Sequence, residues 1–250
     1  MISNPLEQFQ IYVLIPFVLA NYNFSITNVT LFIIIVITYI IFYYRLSILN
    51  STIISVTGWQ TTVEQLFEFI YNLAKENITG KFSENFFPFL FVLFNFILMS
   101  NLIGMIPYSF TITSHISITF ALSFTIFIAI IIIMFKYHKL VAFITFLPSG
   151  TPIPLIPFLV PIELISFFSK PFSLSIRLFA NMMAGHSLLK ILAGFSWSML
   201  SFGGIFYILF VVPLIIVFLI TGLEMGIALL QAYVFTILVA MYFRDSIYLH

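Results

Sequence analysis

Apolar residues run through this sequence in stretches long enough for helices that cross a membrane. A spanning helix needs about 20 predominantly apolar residues. Three such stretches lie in the first part of the chain, at Asn28–Tyr44, Phe86–Ile106 and Ile116–Phe135. With its flanks, the first predicts a span over residues 28–49, and the other two predict a helical hairpin over residues 86–139.

Two later apolar stretches are longer than one straight crossing requires. They cover residues 161 to about 193 and about 202 to 242. At 1.5 Å per residue each would measure roughly 50–60 Å, against a hydrocarbon core of about 30 Å. Pro171 and Pro213 introduce local kinks, but neither divides its stretch in half. We therefore expect two long, strongly tilted helices within residues 161–243.

The segment Gly58–Lys81 has a different pattern, in which apolar and charged residues occupy separate faces of one helix. Its apolar positions recur at helical spacing: Trp59, Val63, Leu66, Phe67, Ile70, Leu73 and Ala74. The rest of its surface carries Glu64, Glu68, Asn72, Lys75 and Glu76. An additional membrane span would bury at least three of these charges. The pattern therefore predicts an amphipathic helix that lies on the membrane surface.

The positions of the cationic residues favour five crossings. If the amphipathic helix does not cross, one side of the membrane receives Arg45, Lys75, Lys81, Lys136, Lys139 and Arg244. The opposite side comprises the N-terminus, the loop 107–115 and residues 196–204, and it has no Lys or Arg. Loops on the inner side of a membrane typically carry the excess of Lys and Arg. The N-terminus is therefore expected outside and the C-terminus inside.

Composition restricts the class of protein. Hydrophobic residues make up 62% of the chain and charged residues 7%, so lipid is expected to surround much of it. A net charge of +1 argues against nucleic acid as a partner. Without cysteine there is no disulfide or thiolate chemistry. Met1–Gln10 lacks a basic segment, so no cleavable signal peptide is expected. The chain is predicted to be an all-α polytopic membrane protein, one unit over residues 1–250.

Three further cations lie in the fourth predicted crossing. Lys190 is near its outer end and Lys170 near its inner end, where long side chains reach water. Arg177 lies in the middle, and a cation there costs about 2.5–3.5 kcal/mol on insertion scales. A static ion pair within the chain is an alternative interpretation. It is weakened because the fifth crossing offers only Glu224, and Glu163 lies fourteen residues before the arginine.

Helical spacing places the polar groups of the fourth crossing on two faces. Glu163, Lys170 and Arg177 are seven residues apart and share one stripe, which Asn181 joins one turn later. His186 follows Arg177 by nine residues and therefore points nearly the opposite way. The two faces predict two different polar environments along one helix.

The fifth crossing contributes a second pair of polar residues. Glu224 and Gln231 are seven residues apart, beside glycine and alanine residues that permit close helix approach. A carboxyl group in lipid needs water or a partner. With His186 as a neighbour, one interpretation is a hydrated proton relay. The other is that Glu224 is protonated and hydrogen-bonded in the core.

These residues occur in segments that resemble a known family. PFSLSIRLFANMMAGH (Pro171–His186) is similar to the signature of the subunit a family of mitochondrial F-type ATP synthases. Further similar segments are NPLEQF (Asn4–Phe9), LMSNLIGMIPYSF (Leu98–Phe110), GLEMGIALLQAYVF (Gly222–Phe235) and the C-terminal RDSIYLH. The resemblance covers nearly the whole chain and is expected to be strongest to fungal members.

The resemblance implies a proton-translocating stator subunit in which Arg177 faces a ring of c subunits, each with one lipid-exposed carboxylate. Other polar residues would line two half-channels or flank the arginine. They are His186 and Glu224 on the intermembrane-space side, Glu163 and Asp245 on the matrix side, and Asn181 and Gln231 beside Arg177. A proton would enter one half-channel, travel on the ring and leave by the other, and this flow would drive ATP synthesis.

The resemblance also implies the cellular setting. The partners would be the c-ring, other Fo stator subunits such as subunit b and subunit 8, and membrane lipid, with a position at or near a dimer interface. The expected location is the mitochondrial inner membrane, with the N-terminus in the intermembrane space and the C-terminus in the matrix. No cofactor, metal or nucleic acid is expected.

Two other classes of membrane protein fit the sequence less well. A stand-alone ion channel or secondary transporter would need a continuous polar path or inverted repeats, and neither is visible. A haem or quinone carrier would need paired ligands, whereas the histidines fall at ends or on separate segments: His115, His138, His186 and His250. No Walker-type phosphate loop occurs, so ATP chemistry must belong to other subunits.

Single cysteines in this cysteine-free chain test the predicted topology. Glu68→Cys should react with a membrane-impermeant thiol reagent from the matrix side, because the charged face of the amphipathic segment is expected in water. A cysteine in the 107–115 loop should react only from the intermembrane space. Labelling of both positions from the same side would contradict the count of five crossings.

Overall fold

The computed structural model describes residues 5–19, 22–49, 58–78, 80, 82–106, 109–139, 155–204 and 209–248. Within these residues the chain forms six long helices, which confirms the all-α polytopic class. They are α1 Asn28–Leu49, α2 Gly58–Asn77, α3 Phe82–Gly104, α4 Ile116–His138, α5 Ile156–Phe202 and α6 Val211–Ile247.

Five of these helices are long and apolar enough to cross a membrane, and α2 is not one of them. The surface of α2 divides as its sequence predicts, because Glu64 and Glu68 are exposed while Ile70 and Leu73 are buried. Trp59 of the predicted apolar face is nevertheless 54% exposed in the isolated chain. The end of the predicted segment, at Lys81, lies outside the described residues.

The two longest helices are α5, with 47 residues, and α6, with 37 residues. At 1.5 Å per residue they measure about 70 and 55 Å, more than the roughly 30 Å of a hydrocarbon core, and their strong tilt stays a prediction. Pro161 and Pro171 lie inside α5 and do not end it. The predicted bounds were wrong for both: α5 covers Ile156–Phe202 instead of 161 to about 193, and α6 begins at Val211 instead of near 202. The helix α5 ends where Gly203 and Gly204 adopt left-handed φ angles of 71° and 64°.

The segment before α1 contains short strands that the sequence analysis did not predict. The strands are β1 (Val13–Ile15), β2 (Val18–Leu19), β3 (Tyr22–Asn23) and β4 (Ile26–Thr27), with β1 antiparallel to β4 and β2 antiparallel to β3. The side-chain amide of Asn28 joins this ribbon to α1, since it donates to the Gln10 carbonyl over 3.0 Å. Its oxygen accepts from the Tyr12 amide over 3.3 Å.

Contacts divide the chain into two compact units. Unit 1 comprises Met1–Tyr43, Phe96–His115 and Leu178–Ala232, and unit 2 comprises Tyr44–Asn95, Ile116–Arg177 and Tyr233–His250. The helices α1, α3, α5 and α6 each contribute residues to both units. The predicted polar residues of the outer half-channel belong to unit 1, and those of the inner one belong to unit 2.

The core of unit 1 depends on close approach between helices. Ala228 and Ala232 of α6 are completely buried, and the fully buried Asn101 of α3 donates a 3.3 Å hydrogen bond to the Ala228 carbonyl. Small residues allow such approach in membrane proteins. At the end of α3, a methyl group added to Gly104 would lie 2.5 Å from the Thr111 side chain. This contact leaves room only for glycine.

Aromatic side chains build much of the core of unit 2. The buried ring of Phe243 on α6 stacks on Phe86 at 4.9 Å between centroids and meets the edge of Phe89 at 5.7 Å. Phe127 of α4 lies 5.0 Å from Phe167 of α5. These contacts hold α6 against α3, and α5 against α4, within this unit.

Truncation of Phe243 should destabilise the chain. Phe243→Ala removes a buried ring, and such changes cost about 3–5 kcal/mol in protein cores. The matched control is Phe218→Ala on the same helix, where the ring is 76% exposed. The free energy of unfolding of the purified chain in mixed micelles measures both. Equal losses from the two variants would contradict the described packing.

Candidate functional site

Arg177 lies on the exposed side of α5, and the opposite side of the helix explains why. Leu174 is 4% exposed and Ser175 is completely buried, with the Ser175 hydroxyl 3.2 Å from that of Thr119 on α4. The packing against α4 therefore turns Arg177 outward. Within the described residues no carboxylate lies in salt-bridge distance of its guanidinium. The alternative of a static ion pair within the chain receives no support there.

A cluster around Tyr242 joins α5 and α6 within unit 2. The Lys170 ammonium lies over the Tyr242 ring at 4.7 Å and over the Phe167 ring at 5.5 Å. Arg177 and Asp245 both interact electrostatically with the Tyr242 hydroxyl. The sequence predicts that Lys170 reaches water at the inner end of its helix. It does not single out Tyr242, because tyrosine near a helix end is common at membrane interfaces.

The predicted inner pair, Glu163 and Asp245, also belongs to unit 2. Asp245 forms a 3.8 Å ion pair with its neighbour Arg244, and both side chains are about 40% exposed. Such exposed pairs contribute little to stability. Glu163 is partly exposed on α5, and the described residues provide no ion pair for it. Both carboxylates are therefore accessible, but the structure shows no direct bond between them.

In unit 1 the structure brings together Asn181 and Gln231. The amide nitrogen of Asn181 donates a 3.0 Å hydrogen bond to the side-chain oxygen of Gln231. Gln231 is 5% exposed, whereas Asn181 lies on the exposed side of α5. This bond joins α5 and α6. Without it, each helix would place an unpaired amide side chain in an apolar environment.

The carboxyl group of Glu224 lies directly against the backbone of α5. Glu224 is 6% exposed, and a methyl carbon added to Gly185 would lie 2.7 Å from its Oε1 atom and 2.8 Å from its Cδ atom. Neither carboxyl oxygen has a hydrogen-bond partner within the described part of the chain. A buried carboxyl group without a partner is costly, so water, a proton or another group must satisfy it.

His186 follows Gly185 on α5 and is partly buried. Its Nε2 atom has no hydrogen-bond partner among the described residues. Glu224 thus lies against the turn of α5 that carries His186. The structure contains no direct hydrogen bond between the imidazole and the Glu224 carboxyl group. The same residues contain no group of three His, Asp or Glu placed to hold a metal ion.

Comparison with known proteins decides the family. A family model described as "ATP synthase A chain" matches residues 27–244. The chain belongs to the ATP synthase A chain family. The matched region contains every predicted site residue except Asp245, which follows it directly.

Relatives with similar sequences align with this chain over nearly its whole length. "ATP synthase subunit a" of Marchantia polymorpha is 52% identical over 252 residues, and the alignment covers 100% of both chains. "ATP synthase subunit a" of Brassica napus is 50% identical, and the alignment covers 99% of this chain and 97% of the relative. That of Chondrus crispus is 47% identical, with 100% of this chain and 98% of the relative covered. The expected likeness to fungal members in particular was wrong, since these relatives are from plants and algae.

The bond between Asn181 and Gln231 should be measurable as a coupling energy. A double-mutant cycle of Asn181→Leu and Gln231→Leu should give a coupling energy of about 0.6 kcal/mol and at most about 1.7 kcal/mol, the average and the maximum found for hydrogen bonds between membrane helices. The free energy of unfolding in mixed micelles measures it. Asn181→Leu combined with Thr221→Val is the control, because the Thr221 hydroxyl bonds within its own helix. Additivity in both cycles would contradict the bond.

Proposed function

We propose that Arg177 faces a ring of c subunits and separates two half-channels through which protons reach and leave the ring carboxylates. Family membership makes the chain the proton-translocating membrane component of an H⁺-transporting ATP synthase. The observation that carries the finer proposal is the position of Arg177, exposed on a membrane helix without a carboxylate partner in the described residues.

An outward guanidinium in a membrane helix needs a partner from outside the chain. The cost of a cation in hydrocarbon falls when an anion approaches it. A carboxylate on each ring subunit supplies that anion in turn, and the planar guanidinium binds it through two parallel hydrogen bonds. Because the partner is not part of this chain, successive carboxylates can exchange at one fixed arginine.

The charge of Arg177 has two consequences for proton flow. It favours the ionised form of an approaching carboxyl group, which promotes release of its proton. It also repels protons from the region that separates the half-channels. At an assumed ~150 mV, one proton loses roughly 3.5 kcal/mol in crossing the membrane. The barrier at the arginine must exceed this value, since otherwise protons would cross without turning the ring.

Glu224 and His186 support an outer half-channel in unit 1. Buried polar atoms normally have partners, and the two carboxyl oxygens of Glu224 and Nε2 of His186 have none in the described chain. A chain of water molecules would satisfy them and would conduct protons to the ring. Asn181 and Gln231, bonded to each other on the same two helices, would flank the arginine.

Glu163 and Asp245 support an inner half-channel in unit 2. Both are at least partly exposed, and Asp245 interacts electrostatically with Tyr242. Accessible carboxylates accept protons that leave the ring and pass them to water. Lys170, held over the Tyr242 ring, places a fixed positive charge on this side.

The topology and partners complete the proposal. The five apolar helices indicate a multi-pass membrane protein. We place it in the mitochondrial inner membrane with the N-terminus in the intermembrane space, because all loop cations then face the matrix. The partners are the c-ring, stator subunits such as subunit b and subunit 8, and a second copy of the complex at or near a dimer interface.

Replacement of Arg177 tests the proposal. Arg177→Ala should abolish ATP-driven proton pumping by membrane vesicles that contain the intact complex. Arg177→Lys should fail largely as well, because a compact ammonium lacks the planar fork of guanidinium and is more strongly hydrated. Pumping is followed by the quenching of a pH-sensitive dye.

The matched control is Lys190→Ala, another cation of α5, which lies nearer the outer end of the helix. This variant should retain most of the pumping activity. Near-normal pumping by Arg177→Ala would overturn the proposed role of the arginine. Equal losses from Arg177→Ala and Lys190→Ala would show that any cation of α5 has the same effect.

A further inference from the structure

We propose that Gly185 is a positioning residue for Glu224: because it has no side chain, α5 leaves the space that the Glu224 carboxyl group occupies. The inference rests on the proposed function, in which Glu224 belongs to the outer half-channel. It concerns unit 1 alone, since both residues and the helix portions that carry them lie there.

The distances show that a side chain at position 185 and the present position of Glu224 are incompatible. A Cβ atom there would lie 2.7 Å from Oε1, 2.8 Å from Cδ and 3.2 Å from Cγ of Glu224. The whole end of the glutamate side chain thus occupies the space, and rotation of the carboxyl group alone would not relieve the clash. An alanine at this position would force Glu224 to move.

Backbone conformation does not explain this glycine. Gly185 lies inside the regular helix α5 and does not have a left-handed φ angle. A glycine inside a helix costs about 1 kcal/mol relative to alanine, so its presence indicates a contact that alanine would not allow. Gly194 on the same helix has nothing within 4 Å of its Cβ position, and the same is true of Gly222 on α6. Among these helical glycines, Gly185 is the one that meets the carboxyl group.

The space at Gly185 determines where a proton on Glu224 is presented. The carboxyl group is held beside the α5 backbone at Gly185, which precedes His186 in the sequence and lies one turn beyond Asn181. With a larger residue at 185, the group would be displaced away from the α5 backbone. Small displacements of reacting groups reduce rates strongly, by about a hundredfold for 1 Å in well-ordered sites.

Three variants of the intact complex test the inference by ATP-driven proton pumping in vesicles. Gly185→Ala should reduce the pumping rate about tenfold or more. The control Gly194→Ala should leave it unchanged. In the double variant Gly185→Ala/Glu224→Asp, the shorter side chain withdraws the carboxyl group by one C–C bond, about 1.5 Å. This variant should pump faster than Gly185→Ala alone, although Glu224→Asp by itself should not exceed the unchanged chain.

The outcomes separate this inference from the proposed function. Normal pumping by Gly185→Ala overturns the inference, and so does a double variant that is as slow as Gly185→Ala. If Gly185→Ala is not incorporated into the complex, incorporation restored by Glu224→Asp supports the inference, and its absence overturns it. The proposed function fails separately, through pumping by Arg177→Ala, whatever the Gly185 variants show.

Discussion

The cost of placing charge in hydrocarbon determines most of what this chain does. With 7% charged residues, nearly every ionisable group has to reach water, find a partner or serve a purpose. In the proposed topology the loop cations fall on one side, and the charges Glu64, Glu68, Lys75 and Glu76 of α2 lie on its exposed surface. Arg177, Glu224 and His186 remain within the membrane helices, and the described residues satisfy none of them with an ion pair or a direct bond to one another. The proposed function rests on these three residues.

The helices could be predicted from the sequence because lipid imposes a simple rule: every backbone polar group must be satisfied within the helix. Apolar stretches of sufficient length therefore identified the five helices that are long and apolar enough to cross, and the charged residues of α2 argued against a sixth. The ends of the helices were less predictable. The helix α5 continues to Phe202 because its end depends on Gly203 and Gly204, and hydropathy does not register their left-handed conformation. The strands before α1 depend on pairing over a distance along the chain, as between Val13 and Thr27.

The polar positions within the membrane helices could be read from the sequence, but their contacts could not. Charged and amide side chains in an apolar helix are conspicuous, so Arg177 and Glu224 were evident from the sequence alone. The contact between Lys170 and Tyr242 depends on the rotation of two helices about their axes, which a single sequence does not determine. The contact at Gly185 could not be predicted either. A glycine in an apolar helix has many explanations until the structure shows which atom lies where its side chain would be.

In the proposed mechanism, proton exchange requires that Arg177 have no carboxylate partner within its own chain, and the described residues place none in salt-bridge distance of it. A buried ion pair within the chain would be static, since breaking such a pair leaves an uncompensated charge that costs several kcal/mol. An arginine whose partner arrives from outside avoids this penalty whenever one carboxylate replaces another. The same reasoning applies to Glu224: a permanent donor would hold its carboxyl group in one protonation state. In this proposal, Arg177 has no fixed carboxylate partner and Glu224 no fixed donor among the described residues. Packing holds both in position, because Leu174 and Ser175 are buried beside the arginine and Gly185 leaves space for the glutamate.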